Sequence, residues 1–150
     1  MTPHPAMIRP AGPHDLADIV AINQQGQESV WSAQQFAQAL SGTENLWVIT
    51  RQEQVLGFLI WQGVLDEAEI HHFGVALAAQ RQGLASQLLH HLGDFCRSHN
   101  IARIFLDVRD GNHGAKALYL SHGFVIIGRR KHYYHTENGP EDAILMEKTC

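Results

Sequence analysis

The residue types best suited to chemistry lie in one stretch, Phe73-Gly74-Val75 followed by Gln80-Arg81-Gln82-Gly83-Leu84-Ala85-Ser86. The pattern there reads as a strand end, a short connection and the start of a helix bearing a glycine. The first N–H groups of a helix have no partner within it and sit at the positive end of its dipole, so they hold a pyrophosphate without help from a side chain. Gly83 lets the backbone approach such an anion closely, Ala85 keeps the next turn slim, and Arg81 adds a charged donor. A second candidate is Asp107. In the run from Arg103 to Val108, alternation sets Ile104, Leu106 and Val108 on one face and Phe105 with Asp107 on the other, an odd place for an unpaired charge. Of the histidines, His90 and His91 point about 100° apart on a helix and cannot share a metal, and His132 and His135 lack a third partner. No metal is assigned. Cys96 and Cys150 lack the paired spacing of a zinc site or a disulfide framework and read as ordinary thiols.

The elements that must position these residues can be read from periodicity. Ala6 to Pro10 predicts a short strand, and Pro13-His14-Asp15 opens a helix with Leu16, Ile19, Val20 and Asn23 at helical spacing. Ser32-Ala33-Gln34-Gln35 has the form of a capping box for a second helix carrying Phe36, Ala39 and Leu40, with Trp31 placed as a hydrophobic staple. Strands are expected over Leu46 to Thr50, Val55 to Trp61 and Glu67 to Val75. Leu84, Leu88, Leu92 and Phe95 mark the stripe of a helix from Gly83 to His99. Arg103 to Val108 is a strand, and Asn112 to His122 a helix closed by Gly123. Phe124 to Tyr133 and Ala143 to Glu147 are strands with a hairpin signal at Asn138-Gly139 between them. These elements predict a mixed α/β fold over residues 1–150, a single domain with one mixed central sheet of about seven strands and four helices.

Composition narrows the function classes. A chain of 150 residues, 45% hydrophobic and 17% charged, fits one globular domain and excludes a disordered chain. No run of about 18 apolar residues is present, so no transmembrane helix is expected. Met1 to Pro10 holds His4, Arg9 and three prolines but no apolar stretch, which argues against a signal peptide and for a cytoplasmic address. A net charge of −4 offers no basic field, so direct binding of nucleic acid is not expected, whereas a small or cationic substrate fits. Full protonation of the 11 histidines would carry the formal charge from −4 to +7, one unit per histidine, so solubility near pH 6 should be sensitive to acid.

The phosphate turn has the form (Gln/Arg)-x-x-Gly-x-(Gly/Ala), and further along come Asn112, Tyr119 and Gly123-Phe124. In this order and separation the two halves resemble the signature of the GNAT superfamily of N-acetyltransferases. Val64 to Ala68, Leu106-Asp107-Val108-Arg109, Ala117-Leu118-Tyr119 and Glu141 to Ile144 resemble more narrowly the RimI-type alanine N-acetyltransferases, as do Trp31-Ser32, Arg129-Arg130 and Tyr133-Tyr134. The resemblance runs from about Arg9 to Lys148. It implies a GNAT-like domain that transfers acetyl from acetyl-CoA to the N-terminal alanine of small-subunit ribosomal protein eighteen, so that the partner is the N-terminal segment of a basic ribosomal protein. It implies that Phe73 to Val75, Arg81 to Ser86 and Asn112 contact acetyl-CoA, that Tyr119 is the general acid and that position 107 is the general base. The family carries Glu where this chain has Asp107, one methylene shorter, and a water can bridge that shortfall. Glu69, His71 and His72 lie where many superfamily members place an acid or base acting through water, and they stand as reserve candidates. Trp31 on one side and Tyr133, Tyr134 and the Thr136 to Pro140 turn on the other are expected to form the acceptor groove, with Glu137, Glu141 and Asp142 attracting a basic peptide.

The chemistry such an enzyme faces can be sized. An amine attacks a thioester only when neutral. An α-amine with pKa near 8 costs about 1.4 kcal/mol to deprotonate at pH 7, and a lysine amine near 10.4 about 4.6 kcal/mol. A weakened base is therefore better tolerated with an α-amine. The Tyr119 phenol, near 10, is matched to a thiol near 8.5, so it can protonate or hydrogen-bond a departing sulfur. The Val75 N–H is a candidate donor to the thioester carbonyl. Two alternatives remain open at this level: acetylation of a small amine such as a polyamine, amino acid or antibiotic, and a silent acyl-CoA-binding module.

Overall fold

The computed structural model describes residues 4–25 and 31–150. In chain order the elements are β1 (Met7–Pro10), α1 (Leu16–Gln25), α2 (Ala33–Ser41), β2 (Asn45–Arg51), β3 (Gln54–Val64), β4 (Glu67–Val75), α3 (Leu84–Ser98), β5 (Arg103–Arg109), α4 (His113–Ser121), β6 (Val125–Thr136) and β7 (Gly139–Thr149). The seven strands form a mixed sheet in the order β1-β2-β3-β4-β5-β7-β6, so the expected α/β class with seven strands and four helices is what the chain adopts. The chain divides into two compact units: one holds the described residues up to Gln62 together with His71–Leu92, the other Gly63–Ile70 together with Gly93–Cys150.

In the first unit, β1, β2 and β3 form an antiparallel meander. The β2–β3 hairpin closes on Gln52 and Glu53, both at positive φ, as a two-residue turn matched to strand twist requires. A short 3-10 turn, Pro13–Asp15, leads into α1. There Arg9 grips buried Asp15 through two bonds of 2.7 and 2.9 Å, and Asp15 also accepts the Gly12 N–H at 2.8 Å. The Arg9 guanidinium holds the Asp15 carboxyl below its ordinary range. The capping box of α2 forms as expected, with Ser32 Oγ accepting the Gln35 N–H at 3.1 Å and Gln35 Oε1 accepting the Ser32 N–H at 2.8 Å. Trp31 staples onto Phe36, ring centres 5.3 Å apart. Ile19 and Ile22 of α1 pack with Phe36 and Ala39 of α2 over Leu46, Val48, Val55, Phe58 and Ile60 of the sheet. Burying each large side chain of this set contributes about 1.5–3 kcal/mol.

In the second unit, the start of β4 runs parallel to β5, and β5 pairs antiparallel with β7 from Arg103↔Thr149 to Arg109↔Ala143. β6 and β7 form the terminal hairpin, turning just before Gly139 at φ +103. Both strands outrun their expected limits, because hydrogen-bonded pairing continues through polar residues such as Tyr134↔Glu141 that carry no apolar alternation. On β5 the expected alternation holds: Ile104, Leu106 and Val108 are buried, Phe105 and Asp107 half-buried. Among the described residues no helix is long and apolar enough to cross a membrane.

Candidate active site

The candidate residues fall into the two units, and each group is built by its own local structure. In the first unit the connection after β4 passes through a 3-10 turn, Leu77–Ala79, and then two residues at positive φ, Arg81 (+65) and Gly83 (+76). The Gly83 carbonyl accepts the Gln87 N–H at 3.0 Å, so Gly83 caps α3. A glycine cap has no side-chain oxygen to accept the first N–H groups of α3, such as those of Leu84 and Ala85, as a Ser or Asp cap would. Among the described residues, no atom beyond Gly83 and its chain neighbours lies within 4 Å of where a Cβ on Gly83 would stand, which leaves room there for an approaching anion. Leu84 itself is only 1% exposed and belongs to the core. Gln82 Oε1 accepts from Arg51 Nη1 at 2.6 Å. A cavity of about 270 Å³ lies beside it, lined by Arg51, Leu56, Ala76, Ala79 and Gln82 among others. These features fit the pyrophosphate of a coenzyme A.

At the end of β4, Gly74 is required by close packing: a Cβ there would come within 2.9 Å of the Phe58 ring. His71 and His72, which with Glu69 stand as the reserve candidates, have partners that spacing could not reveal. His71 Nδ1 meets Glu44 Oε2 at 2.5 Å, and His72 Nε2 meets Asn23 Oδ1 at 2.5 Å. His72 stacks on Trp31, ring centres 5.1 Å apart. Burial pushes the His72 imidazole down to about 4, so it is neutral at physiological pH and brings no charge to the site.

In the second unit, Tyr119 lies one turn from the end of α4 and is held by the way that helix stops. Gly123, at φ +89, donates to the Leu120 carbonyl at 3.2 Å, and Phe124 donates to the Tyr119 carbonyl at 3.1 Å. This is a Schellman closure, and its usual hydrophobic contact is present as the Tyr119 and Phe124 rings, 5.6 Å apart and edge to face. The Tyr…Gly-Phe spacing noted in the sequence thus has a mechanical meaning: it buries the phenol ring in one setting. At the other end of α4, Asn112 Oδ1 accepts the Ala115 N–H at 3.1 Å as N-cap. Asp107 makes no side-chain hydrogen bond or ion pair among the described residues, so it is not capping neighbouring N–H groups.

Between β5 and α4 runs a network of charges that the sequence reading missed. Arg129 bridges Asp110 and Asp142 at 3.0 and 2.8 Å, and Lys116 reaches Asp110 at 3.0 Å. The Lys116 hydrogen bond, with Arg129, holds Asp110 below the ordinary carboxylate range, and Arg129 does the same for Asp142. Glu141 takes Arg109 at 3.0 Å and the Gly111 N–H. Glu141 and Asp142, expected to attract a basic peptide, are therefore committed to this chain's own arginines. Tyr133 and Tyr134 stand edge to face at 5.2 Å, with the Arg130 guanidinium 5.4 Å from the Tyr133 ring.

Comparison with known proteins identifies the family. The model of the Acetyltransferase (GNAT) family matches residues 14–124. The chain is 38% identical over 132 residues to the [Ribosomal protein bS18]-alanine N-acetyltransferase of Escherichia coli K12, covering 88% of this chain and 89% of that one. The crystal structure of the Escherichia coli ribosomal-protein-S18-alanine N-acetyltransferase superposes with a TM-score of 0.90 at 35% identity, covering 97% of this chain and 94% of that one. Arabidopsis thaliana NAA60, solved with a bisubstrate analogue, shares the fold at 18% identity and a TM-score of 0.86, covering 97% of this chain and 98% of that one. The chain belongs to the acetyltransferase (GNAT) family.

Proposed function

We propose that residues 1–150 act as one N-acetyltransferase domain that moves the acetyl group of acetyl-CoA to the α-amine of a peptide beginning with alanine, the N-terminal segment of a basic ribosomal protein. The observation that carries this reading is the 38% identity, across 88% of the chain, with the enzyme named for that substrate. Acetyl-CoA supplies the activated acyl group. The N–H groups of Leu84, Ala85 and Ser86 take its pyrophosphate, with Arg81 adding charge and Gly83 leaving room. Phe73 to Val75, Gln82 and Asn112 complete the coenzyme contacts, and Trp31, Tyr133 and Tyr134 receive the acceptor. The amine nitrogen bonds to the acyl carbon as the carbon–sulfur bond breaks. Asp107 takes the amine proton, directly or through a water, and Tyr119 Oη gives its proton to the leaving sulfur. His72 is a poorer candidate base than Asp107, because a neutral imidazole bound to Asn23 offers no negative charge to the developing ammonium. The reading implies a cytoplasmic address and no direct contact with nucleic acid.

A small-amine acceptor is the second reading, favoured by one observation: Glu141 and Asp142 spend their charge on Arg109 and Arg129 and not on a cationic peptide. Thiol release from acetyl-CoA with a synthetic Ala-Arg-Tyr peptide, beside spermidine and free amino acids and read by mass spectrometry, separates the two. Preferential acetylation of the peptide α-amine supports the first reading; preference for a small amine overturns it.

A further inference from the structure

Asn23 lies in the apolar stripe of α1 and is 7% exposed, yet both ends of its amide are in use. Nδ2 donates to the Trp31 carbonyl at 3.3 Å, and Oδ1 meets His72 Nε2 at 2.5 Å, 49 positions away along the chain. A carbonyl accepts only from a donor, so the bond to Trp31 settles which end of the amide faces the imidazole, and His72 must donate from Nε2. The imidazole then lies nearly parallel to the Trp31 indole, 18° between planes, with Phe36 and Phe58 centred 5.9 and 5.2 Å from it. One amide thus ties both the backbone and, through His72, the ring of residue 31 to α1 and β4. The packing of α1 does not call for an amide here, since Ile19 and Ile22 already anchor it against Phe36 and Phe58. A leucine would fill the same stripe, and a buried hydrogen-bonded amide gains little over an apolar side chain of like shape. What only an amide supplies is a fixed setting for Trp31.

We infer that Asn23 is a positioning residue for the acceptor: it holds Trp31 against His72, fixes the aromatic wall that meets the substrate amine's chain, and so sets affinity for the acceptor and not for the coenzyme. This rests on the proposed placement of the acceptor at Trp31. The test is a kinetic cycle on the full chain with Asn23→Leu, His72→Phe and the double substitution, using the Ala-Arg-Tyr peptide and acetyl-CoA. Each single change is expected to raise KM for the peptide about tenfold, the size of one lost hydrogen bond, with KM for acetyl-CoA and kcat at saturating peptide within about twofold. The double change is expected to be no worse than either single change, because both break the same link. A peptide KM that stays at the wild-type value, or two effects that add in full, overturns the inference. Nitrogen-15 spectra of the unsubstituted protein supply a check that needs no variant: His72 is expected with its proton on Nε2, and a proton on Nδ1 overturns the arrangement. Failure of the unsubstituted protein to acetylate the peptide counts against the proposed function; turnover with unaltered variant KM counts against the role of Asn23 alone.

Discussion

The start of α3 and the end of α4 are both helix termini with a glycine in the left-handed region, Gly83 at φ +76 and Gly123 at φ +89, and they are built in opposite senses. At Gly83 no described residue beyond its chain neighbours comes within 4 Å of where a Cβ would stand, and the cap has no side-chain oxygen for the first N–H groups of the helix. At Gly123 the chain folds back so that Gly123 and Phe124 donate to the Leu120 and Tyr119 carbonyls, and the ring of Phe124 closes over Tyr119. The same permissive residue leaves one terminus open and seals the other. The residues around each glycine make the difference: Gly83 leads into the first turn of a helix, Gly123 into an aromatic that packs back.

Five substitutions break or sharpen that contrast. Tyr119→Phe keeps the ring against Phe124 and removes only the hydroxyl, so kcat is expected to fall roughly 10²- to 10⁴-fold with KM for acetyl-CoA little altered. Steady-state kinetics check this, and equal turnover removes Tyr119 from the mechanism. Phe124→Ala strips the sealed terminus of its closing ring and is expected to cost about 3–5 kcal/mol of stability, read by urea unfolding, with turnover falling as Tyr119 loosens. A third region responds to pH. His72 binds its proton near 4 in the folded state and near 6.5 in the unfolded chain, so the unfolded state takes up a proton first as pH falls. Its contribution is intact above about pH 6.5 and is lost progressively toward pH 4, reaching about 2 kcal/mol by pH 5. Urea midpoints at pH 7 and pH 5 should show that loss, and His72→Gln should remove it. The smallest effect is the most pointed. Gly83→Ala and Gly123→Ala each place a Cβ at positive φ, costing about 1 kcal/mol in thermal melts, yet only Gly83→Ala is expected to raise KM for acetyl-CoA. Equal shifts in KM from both would erase the distinction.

How far the sequence could be read depends on the range of the interactions. The Ser32 to Gln35 capping box, the Gly123 helix stop, the alternation on β5 and the bounds of β4 rest on neighbours within a few positions, and spacing alone reveals them. The polar beginning of β7, Gly139 to Asp142, escapes that reading because its pairing with β6 leaves no apolar mark. Contacts set by sheet register escape it altogether: Asn23 with His72, Arg51 with Gln82 and Glu44 with His71 join residues 49, 31 and 27 positions apart. One signal was present, an asparagine at a position of α1 that otherwise asks for an apolar residue. The commitment of Glu141 and Asp142 to Arg109 and Arg129 was hidden for the same reason.

The most direct measurement is an amide chemical-shift titration with acetyl-CoA. If the open start of α3 binds the coenzyme through its backbone, the N–H signals of Leu84, Ala85 and Ser86 move downfield as acetyl-CoA is added, and Gly83→Ala weakens the response. Saturation with acetyl-CoA that leaves those three signals in place contradicts the account.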